Sequence, residues 1–370
     1  MLVQHNLHKA LLDDALGAHR AVRAEYDDLR YVRFVDDYKG VGRGTAVFDD
    51  MAVFAYPSIG RVLSLQSGIE NLFEAPFWME EKVDGFNVRV FHLNNRVLAL
   101  SRGGFICPFT TDRIHDLLDT RIFDHEPDIV LCAEVAGPDN PYMDGGVPYI
   151  GEDIKIFVFD IGYINQTGFA AYKDKEILFD RYQLPAVQRF GRFQSTDVQR
   201  IREILLQLDN EYREGVIFKE DSPRDYRAKY TTANINIVDI AAGAYMTFDL
   251  PPEYFKNRLA RLVLFMDEQG ITSTAELQQR LGAAYLDGFF EAIQQIHQHH
   301  KVFRTFKCRF RQRENAVKLL AQMSEIGGHV QIVLRELKLQ DDYWLLEFDK
   351  VFAKTSGSLS SLLKGSLLFD

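Results

Sequence analysis

The sequence predicts an α+β fold with antiparallel sheets, followed by an all-helical C-terminal region. Short runs of β-branched and aromatic residues, broken by turn residues, fill the chain from about residue 30 to residue 100. Helical stretches then alternate with further buried strands. After Pro251-Pro252 the helical periodicity of apolar residues dominates, with little of the alternation that strands show.

The first hundred residues begin with a helical pattern over residues 8–24 and continue with strands. We predict strands over residues 31–35, 45–48, 51–56, 77–82, 87–93 and 96–100. Asn94-Asn95 joins the last two strands as a hairpin turn, because asparagine tolerates a positive φ angle.

Strands and helices alternate between about residues 110 and 220. The predicted strands are 129–134, 155–161 and 216–219, and the predicted helices are about 111–119, 174–190 and 195–210. From Glu253 onward apolar residues follow one helical stripe, and Gly327-Gly328 separates a second helical block over about 330–353. We therefore divide the chain into a mixed domain, a helical domain and a helical C-terminal segment, over residues 1–245, 246–326 and 327–370.

The composition excludes several classes of protein. Hydrophobic residues make up 46% of the 370 residues and charged residues 26%, which is typical of a globular protein and not of a disordered chain, a collagen-like fibre or a disulfide scaffold. Acidic residues outnumber basic residues by 53 to 43, giving a net charge of −10. Any nucleic-acid partner must therefore be held by a local basic patch.

Cysteine usage and hydropathy indicate the compartment. Cys107, Cys132 and Cys308 are far apart and none stands in a CxxC pair, which argues for a reducing compartment and against a structural zinc site. The N-terminus shows no signal-peptide pattern, and no apolar run approaches the roughly 18 residues of a membrane span. We expect a cytoplasmic protein with no membrane partner.

The strongest motif is Lys82-Val83-Asp84-Gly85, which stands at the end of a predicted strand. Alone it is a weak signal, because Asp-Gly suits the tight turn after any polar strand end. Further short segments follow in the chain, and their joint order and spacing make the set specific. They are Ser101-Arg102-Gly103-Gly104, Leu131 to Gly137, Phe157 to Asp160, Glu214 to Lys219, and Arg227 to Tyr230.

These segments together resemble the covalent nucleotidyltransferase superfamily of ATP-dependent DNA ligases, RNA ligases and mRNA capping enzymes. The resemblance covers about residues 75–232. It implies a nucleotidyltransferase (ATP-grasp-like DNA/RNA ligase) catalytic domain with antiparallel sheets, in which Lys82 takes up a nucleoside monophosphate covalently.

The residue types suit this chemistry. A lysine attacks the α-phosphorus of a nucleoside triphosphate only as the free amine, so its pKa, ordinarily about 10.4, must fall. Neighbouring cations such as Lys219 and Lys229 can lower that pKa, and they would also neutralise the triphosphate. Glu214 supplies a hard oxygen ligand suited to Mg²⁺, directly or through water. The ring of Phe159 could stack on the base.

The resemblance implies roles for individual residues. Lys82 matches the nucleophile, and Lys219 and Lys229 match the phosphate-binding lysines, so these three are the predicted catalytic residues. Glu214 matches the metal-associated glutamate, and Phe159 matches the aromatic residue that stacks on the base.

The other predicted nucleotide-binding residues lie on the remaining motifs. Asn87 and Glu134 match the positions that hold the ribose hydroxyls, and Arg102 matches an arginine that contacts phosphate. Glu81, directly before the lysine, belongs to the predicted nucleotide site. The last motif of the family usually reads Lys-x-Lys, but Arg227 stands at its first position here, which leaves the role of that residue open.

Two features favour RNA ligases within the superfamily. DNA ligases and capping enzymes usually carry arginine five residues after the lysine, whereas this chain carries Asn87, as in RNA ligases that read Lys-x-x-Gly-x-Asn. Arg89, on the same strand face, could still reach the nucleotide or the RNA. The predicted helical C-terminal region also differs from the β-rich OB-fold that follows the last motif in DNA ligases and capping enzymes.

A helical C-terminal extension resembles the archaeal-type homodimeric ATP-dependent RNA ligases, in which helices after the catalytic domain form the dimer interface. This resemblance implies an enzyme that uses ATP with Mg²⁺ or Mn²⁺ to join RNA 5′-phosphate and 3′-hydroxyl ends, through a lysyl-AMP and an RNA-adenylate. It also implies a homodimer, with residues 246–326 as the dimerisation domain.

Three alternative functions stay open: an ATP-dependent DNA ligase, an mRNA capping-type guanylyltransferase, and a non-catalytic RNA-binding scaffold on a decayed nucleotidyltransferase fold. Asn87 and the missing OB-fold speak against the first two. Intact Lys82, Glu134 and Glu214 speak against the scaffold.

Two segments outside the motifs have two interpretations each. Residues 301–313 interleave basic residues with phenylalanines, which suits single-stranded RNA. Their alternative is an amphipathic segment whose rings enter the helical core while its charges face water. The glycine-rich segment 39–45 is either a flexible β-turn or a loop that contacts RNA.

Overall fold

The computed structural model describes residues 2–4, 7–328 and 330–367. In these residues the strands, numbered in chain order, are β1 (Val3–Gln4), β2 (Ala21–Tyr26), β3 (Leu29–Phe34), β4 (Ala46–Phe48), β5 (Met51–Val53), β6 (Gly60–Arg61), β7 (Phe77–Lys82), β8 (Phe86–Leu93), β9 (Arg96–Ser101), β10 (Ile129–Ala136), β11 (Lys155–Tyr163), β12 (Gln166–Thr167), β13 (Arg189–Phe193), β14 (Gly215–Glu220), β15 (Arg227–Thr231), β16 (Phe303–Phe310), β17 (Val330–Gln340) and β18 (Tyr343–Phe352).

The α-helices of the described residues are α1 (Lys9–Gly17), α2 (Leu65–Leu72), α3 (Pro108–Leu117), α4 (Ile122–His125), α5 (Tyr172–Tyr182), α6 (Val198–Asn210), α7 (Ala233–Ala244), α8 (Glu253–Glu268), α9 (Ala275–His299), α10 (Arg313–Ile326) and α11 (Ala353–Leu363). Short 3₁₀ turns at Ser195–Asp197 and Thr247–Asp249 precede α6 and α8. In this part of the chain, no helix is long and apolar enough to cross a lipid bilayer.

Four larger sheets organise the molecule. The N-terminal sheet has the order β2-β3-β4-β5, the central sheet β11-β10-β8-β9, the five-stranded sheet β13-β7-β14-β15-β6, and the C-terminal sheet β16-β18-β17. Neighbouring strands pair antiparallel, except that β6 pairs parallel with β15. The predicted α+β class with antiparallel sheets is therefore confirmed.

The predicted hairpin at Asn94-Asn95 is also found. Their φ angles are 50° and 59°, and the pairing of Leu93 with Arg96 closes a two-residue turn between β8 and β9. Positive φ at both central residues is what the right-handed twist of two antiparallel strands requires, so asparagine fits both positions.

Two predicted helices are shorter than their sequence patterns suggested. Over residues 8–24 the helix ends at Gly17, because His19 adopts a φ of 55° and reverses the chain into β2. Over residues 174–190 the helix ends at Tyr182, and Gln183 adopts a φ of 48°. A left-handed residue ends a helix, which neither apolar pattern could reveal.

The prediction of an all-helical C-terminal region is wrong in part, because this region contains the C-terminal sheet as well as four helices. Val330, Val333, Leu334 and Leu337 have helical spacing, but they lie on β17. A turn at Asp341, with φ 53°, joins β17 to β18, where buried residues recur with a period of two. The apolar spacing on β17 fits both a helix and a strand, and the segment forms a strand because it pairs with the buried central strand β18.

The aromatic and basic segment 301–313 contains β16 rather than a helix. Phe306 and Phe310 enter the main apolar core, as the structural alternative proposed, but that core is formed by sheets together with helices rather than by helices alone. Arg309 pairs with Asp139, and Arg311 pairs with Asp116, so these charges have protein partners instead of facing water alone.

Two apolar clusters enclose the central part of the molecule. The larger joins the inner faces of the central and C-terminal sheets, with Val88, Leu131 and Val158 packed in the same cluster as Phe310 and Phe348. The second lies under the five-stranded sheet and consists largely of residues from β7, β14, β15, α6 and α8. This cluster covers one face of the five-stranded sheet, and the other face carries polar residues.

Arg89 ties the N-terminal sheet to the central sheet. Its side chain is buried, and its guanidinium donates to the backbone carbonyls of Phe54 at 2.7 Å, Gly44 at 2.8 Å and Ser101 at 2.8 Å. Burial lowers the pKa of Arg89 to about 10. The expectation that Arg89 reaches the nucleotide or RNA is therefore wrong, since its two terminal nitrogens are held by these carbonyls and its Nε atom is buried.

Replacing this guanidinium should destabilise the fold. We expect Arg89→Leu to reduce the free energy of unfolding by about 3 kcal/mol or more, because several buried carbonyls lose their donor. The control is Arg30→Leu, since the Arg30 side chain is 87% exposed, and it should change stability by less than about 0.5 kcal/mol. Equal urea midpoints for both variants would contradict the role of Arg89.

Candidate active site

A cavity of about 600 Å³ lies between the five-stranded sheet and the central sheet. Most of the residues predicted from the sequence line it. They are Lys82, Lys219 and Lys229 from the five-stranded sheet, and Asn87, Arg102, Glu134 and Phe159 from the central sheet and the turn after β9.

The strand register brings the lysines together. Lys82 on β7 stands opposite Gly215 on β14, and Lys229 on β15 stands opposite Ile217 on β14. Residues opposite each other in an antiparallel pair share a face, and side chains two apart on one strand do so as well. Lys82, Lys219 and Lys229 therefore lie on the same face of the five-stranded sheet.

Asn87 and Glu134 form part of the facing wall. They are direct partners across β8 and β10, so both side chains project from the same face of the central sheet. The buried Oδ1 atom of Asn87 has no hydrogen-bond partner within the described protein. A buried amide oxygen without a partner suits a ligand that donates a hydrogen bond, such as a sugar hydroxyl.

Lys82 is paired with Glu214. The Lys82 Nζ atom donates a hydrogen bond to Glu214 Oε2, because Glu214 directly precedes Gly215, the partner of Lys82 in the register. Burial lowers the pKa of Lys82, but Glu214 and Glu134 outweigh this effect and hold the pKa above its ordinary value. The expected fall of this pKa is therefore not found in the free protein, where the amine is protonated.

Other acidic groups lie close to the same ammonium. Burial raises the pKa of Glu134 to about 8, with Lys82 acting in the opposite direction. Burial and then the charge of Glu214 raise the pKa of Asp84 to about 7. Ionising these carboxyl groups is costly in the free protein, and a cation bound beside them would reduce that cost.

The two phosphate-binding candidates differ in their surroundings. Burial lowers the pKa of Lys229 to about 8, and the charges of Arg61 and Lys82 add to this effect. Lys219 is buried and donates to Glu80, to Asp160 at 3.0 Å and to the carbonyl of Phe159 at 2.8 Å. Burial lowers the pKa of Lys219, but Asp160 and Glu80 raise it overall.

Glu81 and Arg102 border the cavity without joining this cluster. Glu81 accepts hydrogen bonds from the Tyr149 hydroxyl at 2.9 Å and from Arg213 at 3.1 Å. Arg102 is exposed and donates to Ser58 Oγ at 3.1 Å.

The C-terminal region also reaches the cavity. Gln322 and Ile326, near the end of α10, line it beside Phe105, and Gln322 donates to the carbonyl of Ile106 at 2.9 Å. The cavity is therefore lined by residues of the C-terminal region as well as by the central and five-stranded sheets.

Two family models match the chain. One is described as RNA ligase and matches residues 75–231, and the other is described as the Ligase Pab1020 C-terminal region and matches residues 242–366. A solved structure from Aquifex aeolicus, provisionally described as an ATP-dependent DNA ligase, is 49% identical, with a TM-score of 0.94 over 98% of this chain and 100% of that one. The chain belongs to the RNA ligase family. It is therefore an enzyme, a ligase.

Further relatives match the ligase over nearly its full length. An archaeal ATP-dependent RNA ligase, solved in two forms, is 26% identical, with TM-scores of 0.87 and 0.88 over 97% of this chain and 96% of that one. An uncharacterized protein of Methanocaldococcus jannaschii is 28% identical over 359 residues, which is 93% of this chain and 90% of the relative. Both similarities include the C-terminal region.

Several residues of the ligase site had no role in the sequence analysis. Glu80 receives hydrogen bonds from Lys175 and Lys219, and Asp160 is paired with Lys219 and with Arg227. Asp160 ends one of the motif segments and Glu80 stands two residues before Lys82, so their position was a usable signal. Lys175 lies outside the motifs on α5, where no sequence pattern indicated it.

Arg227 occupies the position where the family pattern has lysine. Its guanidinium donates to Asp160, to the Tyr56 hydroxyl at 2.8 Å and to Asp225 at 3.0 Å. Asp160 raises the pKa of Arg227 well above its ordinary value despite burial. These partners hold the group in the wall, so Arg227 is not a free phosphate-binding cation in the described structure.

The described residues contain no group of three or more His, Cys, Asp or Glu side chains arranged to hold a metal ion. A divalent ion at Glu214 would therefore need ligands from water or substrate, as the sequence analysis expects for Mg²⁺.

The raised pKa of Glu134 gives the ligase a testable pH dependence. A carboxyl whose pKa rises from 4.5 to about 8 on folding stabilises the fold fully below about pH 4.5, and this contribution is lost as the pH rises through 8. Glu134→Gln should therefore gain melting temperature relative to the wild type between pH 5 and pH 8, by about 2 °C or more.

The matched control is Glu152→Gln, in an exposed loop. Its melting temperature relative to the wild type should not change with pH. A constant difference for Glu134→Gln over the same pH range would show that burial does not raise this pKa.

Proposed function

We propose that the ligase joins RNA 5′-phosphate and 3′-hydroxyl ends with ATP, through a covalent Lys82–AMP and an RNA-adenylate. The observation that carries this proposal is the position of Lys82, whose amine faces a cavity of about 600 Å³ lined by further lysines. A cavity of this volume suits a nucleotide.

The cavity offers complementary groups for each part of ATP. Asn87 Oδ1 has no hydrogen-bond partner among the described residues and could accept a hydrogen bond from the ribose, with Glu134 beside it. The ring of Phe159 is half-buried in the wall and is available for stacking on adenine. Lys229, with no ion pair among the described residues, would neutralise phosphate charge. Lys219 lines the cavity but is paired with Glu80 and Asp160, so it would do the same only on exchanging one of these partners for phosphate.

In the first step the Lys82 amine attacks the α-phosphorus, a P–N bond forms, and pyrophosphate leaves. Lys82 must first lose a proton to solvent, because the Glu214 carboxylate that accepts its hydrogen bond is also the proposed metal ligand. The Glu214 carboxylate keeps the amine protonated in the free protein. The amine therefore becomes reactive once its ion pair with Glu214 is weakened.

A bound Mg²⁺ or Mn²⁺ would neutralise charge on the triphosphate and on the leaving pyrophosphate. Glu214 would hold the ion, and Glu134 and Asp84 are the neighbouring carboxyl groups. In the following steps an RNA 5′-phosphate oxygen takes AMP from Lys82, and a 3′-hydroxyl then displaces AMP to close the phosphodiester. Both transfers depend on positioning and on charge neutralisation.

RNA is the favoured substrate, although one relative carries a DNA ligase description. Asn87 stands where DNA ligases and capping enzymes usually have arginine, and the C-terminal sheet has three strands among the described residues rather than an OB barrel. Sealing of matched RNA and DNA ends separates the two functions. Use of GTP in place of ATP would indicate capping chemistry.

A homodimer is supported by apolar residues exposed in the proposed dimerisation domain, residues 246–326. On α8 and α9, Val263 is 59% exposed, Leu286 54% and Phe290 60%. Leu286 and Phe290 are four residues apart and share one face of α9, and contiguous exposed apolar surface is typical of an interface. The proposed cytoplasmic location rests on Cys107, Cys132 and Cys308, which are free thiols.

Lys82→Ala should abolish covalent labelling by α-³²P-ATP in the presence of Mg²⁺, because the amine that forms the P–N bond is removed. Labelled protein is measured after denaturing electrophoresis. The control is Lys155→Ala, an exposed lysine on β11, which should label like the wild type. Labelling of Lys82→Ala, or of the wild type by GTP alone, would contradict the proposal.

Phe290→Asp should dissociate the proposed dimer, because it places a charge in an apolar interface. Sedimentation should give about twice 42.6 kDa for the wild type and about 42.6 kDa for the variant. Ile177→Asp, at a residue on α5 that is 56% exposed, is the control and should remain dimeric. A wild-type mass of 42.6 kDa would refute the dimer.

A further inference from the structure

A second and larger cavity opens beside the nucleotide site. It has a volume of about 1340 Å³ and lies between the N-terminal sheet, the end of β11 and the segment 223–227. Arg43, Tyr56 and Arg102 line both cavities, so the two are continuous at these residues. We call the larger cavity the side groove.

The glycine-rich segment 39–45 forms one border of this junction. Gly44 has a φ of 96°, and a Cβ atom built on it would lie 2.1 Å from the carbonyl oxygen of Arg102. Gly104 has a φ of 77°, and a Cβ there would lie 2.7 Å from the carbonyl oxygen of Gly44. The two loops therefore interlock backbone to backbone, which only glycine permits at these two positions.

Arg89 holds both loops from below. Its guanidinium donates to the carbonyl of Gly44 and to the carbonyl of Ser101, which directly precedes Arg102. Arg43 and Arg102 are thus each one residue away from a carbonyl bound by the same buried side chain. Segment 39–45 is therefore a fixed loop beside the active site, rather than the flexible turn that one sequence interpretation proposed.

The basic residues of the side groove are not equivalent. Four arginines line it: Arg43, Arg102, Arg224 and Arg227. The last two are neutralised by carboxylates, Glu74 and Glu220 for Arg224, and Asp160 and Asp225 for Arg227. Arg43 and Arg102 are exposed and have no ion pair within the described chain.

The acidic residues at this border form no ion pair with either of these two arginines in the described chain. Asp36 is paired with Arg20, and Asp37 Oδ1 accepts the backbone N–H of Arg43 at 2.7 Å. Two uncompensated guanidinium groups, held at the junction of two cavities in an acidic protein, indicate an anion that spans the junction.

We propose that the side groove binds the 5′-phosphorylated end of the RNA, and that Arg43 with Arg102 holds its phosphates next to Lys82–AMP. This proposal rests on the proposed function and specifies where its second substrate lies. In the proposed function, Lys219 and Lys229 bind the phosphates of ATP. The side groove is a separate space with about twice the volume of the nucleotide cavity. Half-buried Tyr163 gives the groove aromatic surface on which unpaired bases can stack.

The step served by this arrangement is AMP transfer. An oxygen of the RNA 5′-phosphate attacks the phosphorus of Lys82–AMP, a P–O–P bond forms, and the P–N bond breaks. The Lys82 nitrogen leaves and takes up a proton, which restores its ammonium. Arg43 is a positioning residue in this step, because it holds the attacking phosphate rather than the reacting nitrogen.

The test separates ATP use from RNA use in Arg43→Ala, Arg43→Lys and the control Arg30→Ala, an exposed arginine of the N-terminal sheet outside the groove. Each protein is first adenylylated and then mixed with 5′-phosphorylated single-stranded RNA under single-turnover conditions. We expect Arg43→Ala to slow AMP transfer by about tenfold or more, and to slow it more than Lys82–AMP formation. Its transfer rate should also depend less steeply on salt.

Arg43→Lys should recover part of the transfer rate, because the charge remains while the two-pronged contact is lost. Arg30→Ala should match the wild type in both steps. Equal slowing of adenylylation and transfer in Arg43→Ala would place Arg43 on the triphosphate and overturn the proposal. Unchanged transfer at limiting RNA would overturn it as well.

Failure of the proposed function would look different. A wild-type protein that forms Lys82–AMP but transfers AMP to DNA ends and not to RNA would refute the RNA ligase proposal, whatever Arg43→Ala does. Melting temperatures of all variants identify any loss that is due to unfolding. Arg43 is exposed, so its replacement should leave the melting temperature unchanged.

Discussion

The antiparallel register of β7, β14 and β15 is the constraint on which the active site depends. Pairing Lys82 with Gly215 sends the lysines of three strands to one face and the apolar residues between them to the other. A slip of one residue would exchange the two faces, placing ammonium groups in the core and apolar side chains in the cavity. Burial of the apolar face of this sheet therefore also fixes the positions of the lysines, so the same strand register determines both the fold and the site.

Within that frame, charge balance distinguishes residues that look alike in the sequence. Lys219 has Glu80 and Asp160 as partners, Lys82 has Glu214, and Lys229 has no ion pair among the described residues. Buried charges of this kind persist only when they are paired, because transfer from water is costly. The same balance separates the arginines of the side groove. Pairing, rather than residue type, marks which cations remain available for a ligand.

Much of this could be predicted from the sequence, because motifs are local and the strand pattern is strong around them. The residues around Lys82, the hairpin at Asn94 and the α+β class required only short-range information. The protonation of Lys82 could not be predicted, since the sequence shows nearby cations but not that Glu214 is its partner. The strand β17 was missed because its apolar spacing also fits a helix, and Arg89 was misjudged because its carbonyl partners come from distant loops.

The central and C-terminal sheets share one apolar core, and this constrains how the chain can evolve. Residues matched by two separate family models pack in one apolar cluster, and α10 also lines the cavity that contains Lys82. These two regions cannot be exchanged independently between relatives, because each supplies part of the other's apolar core. A substitution at Phe310 or Phe348 is constrained by residues such as Val88 and Leu131, more than 170 positions away, so the two regions are expected to change together in evolution.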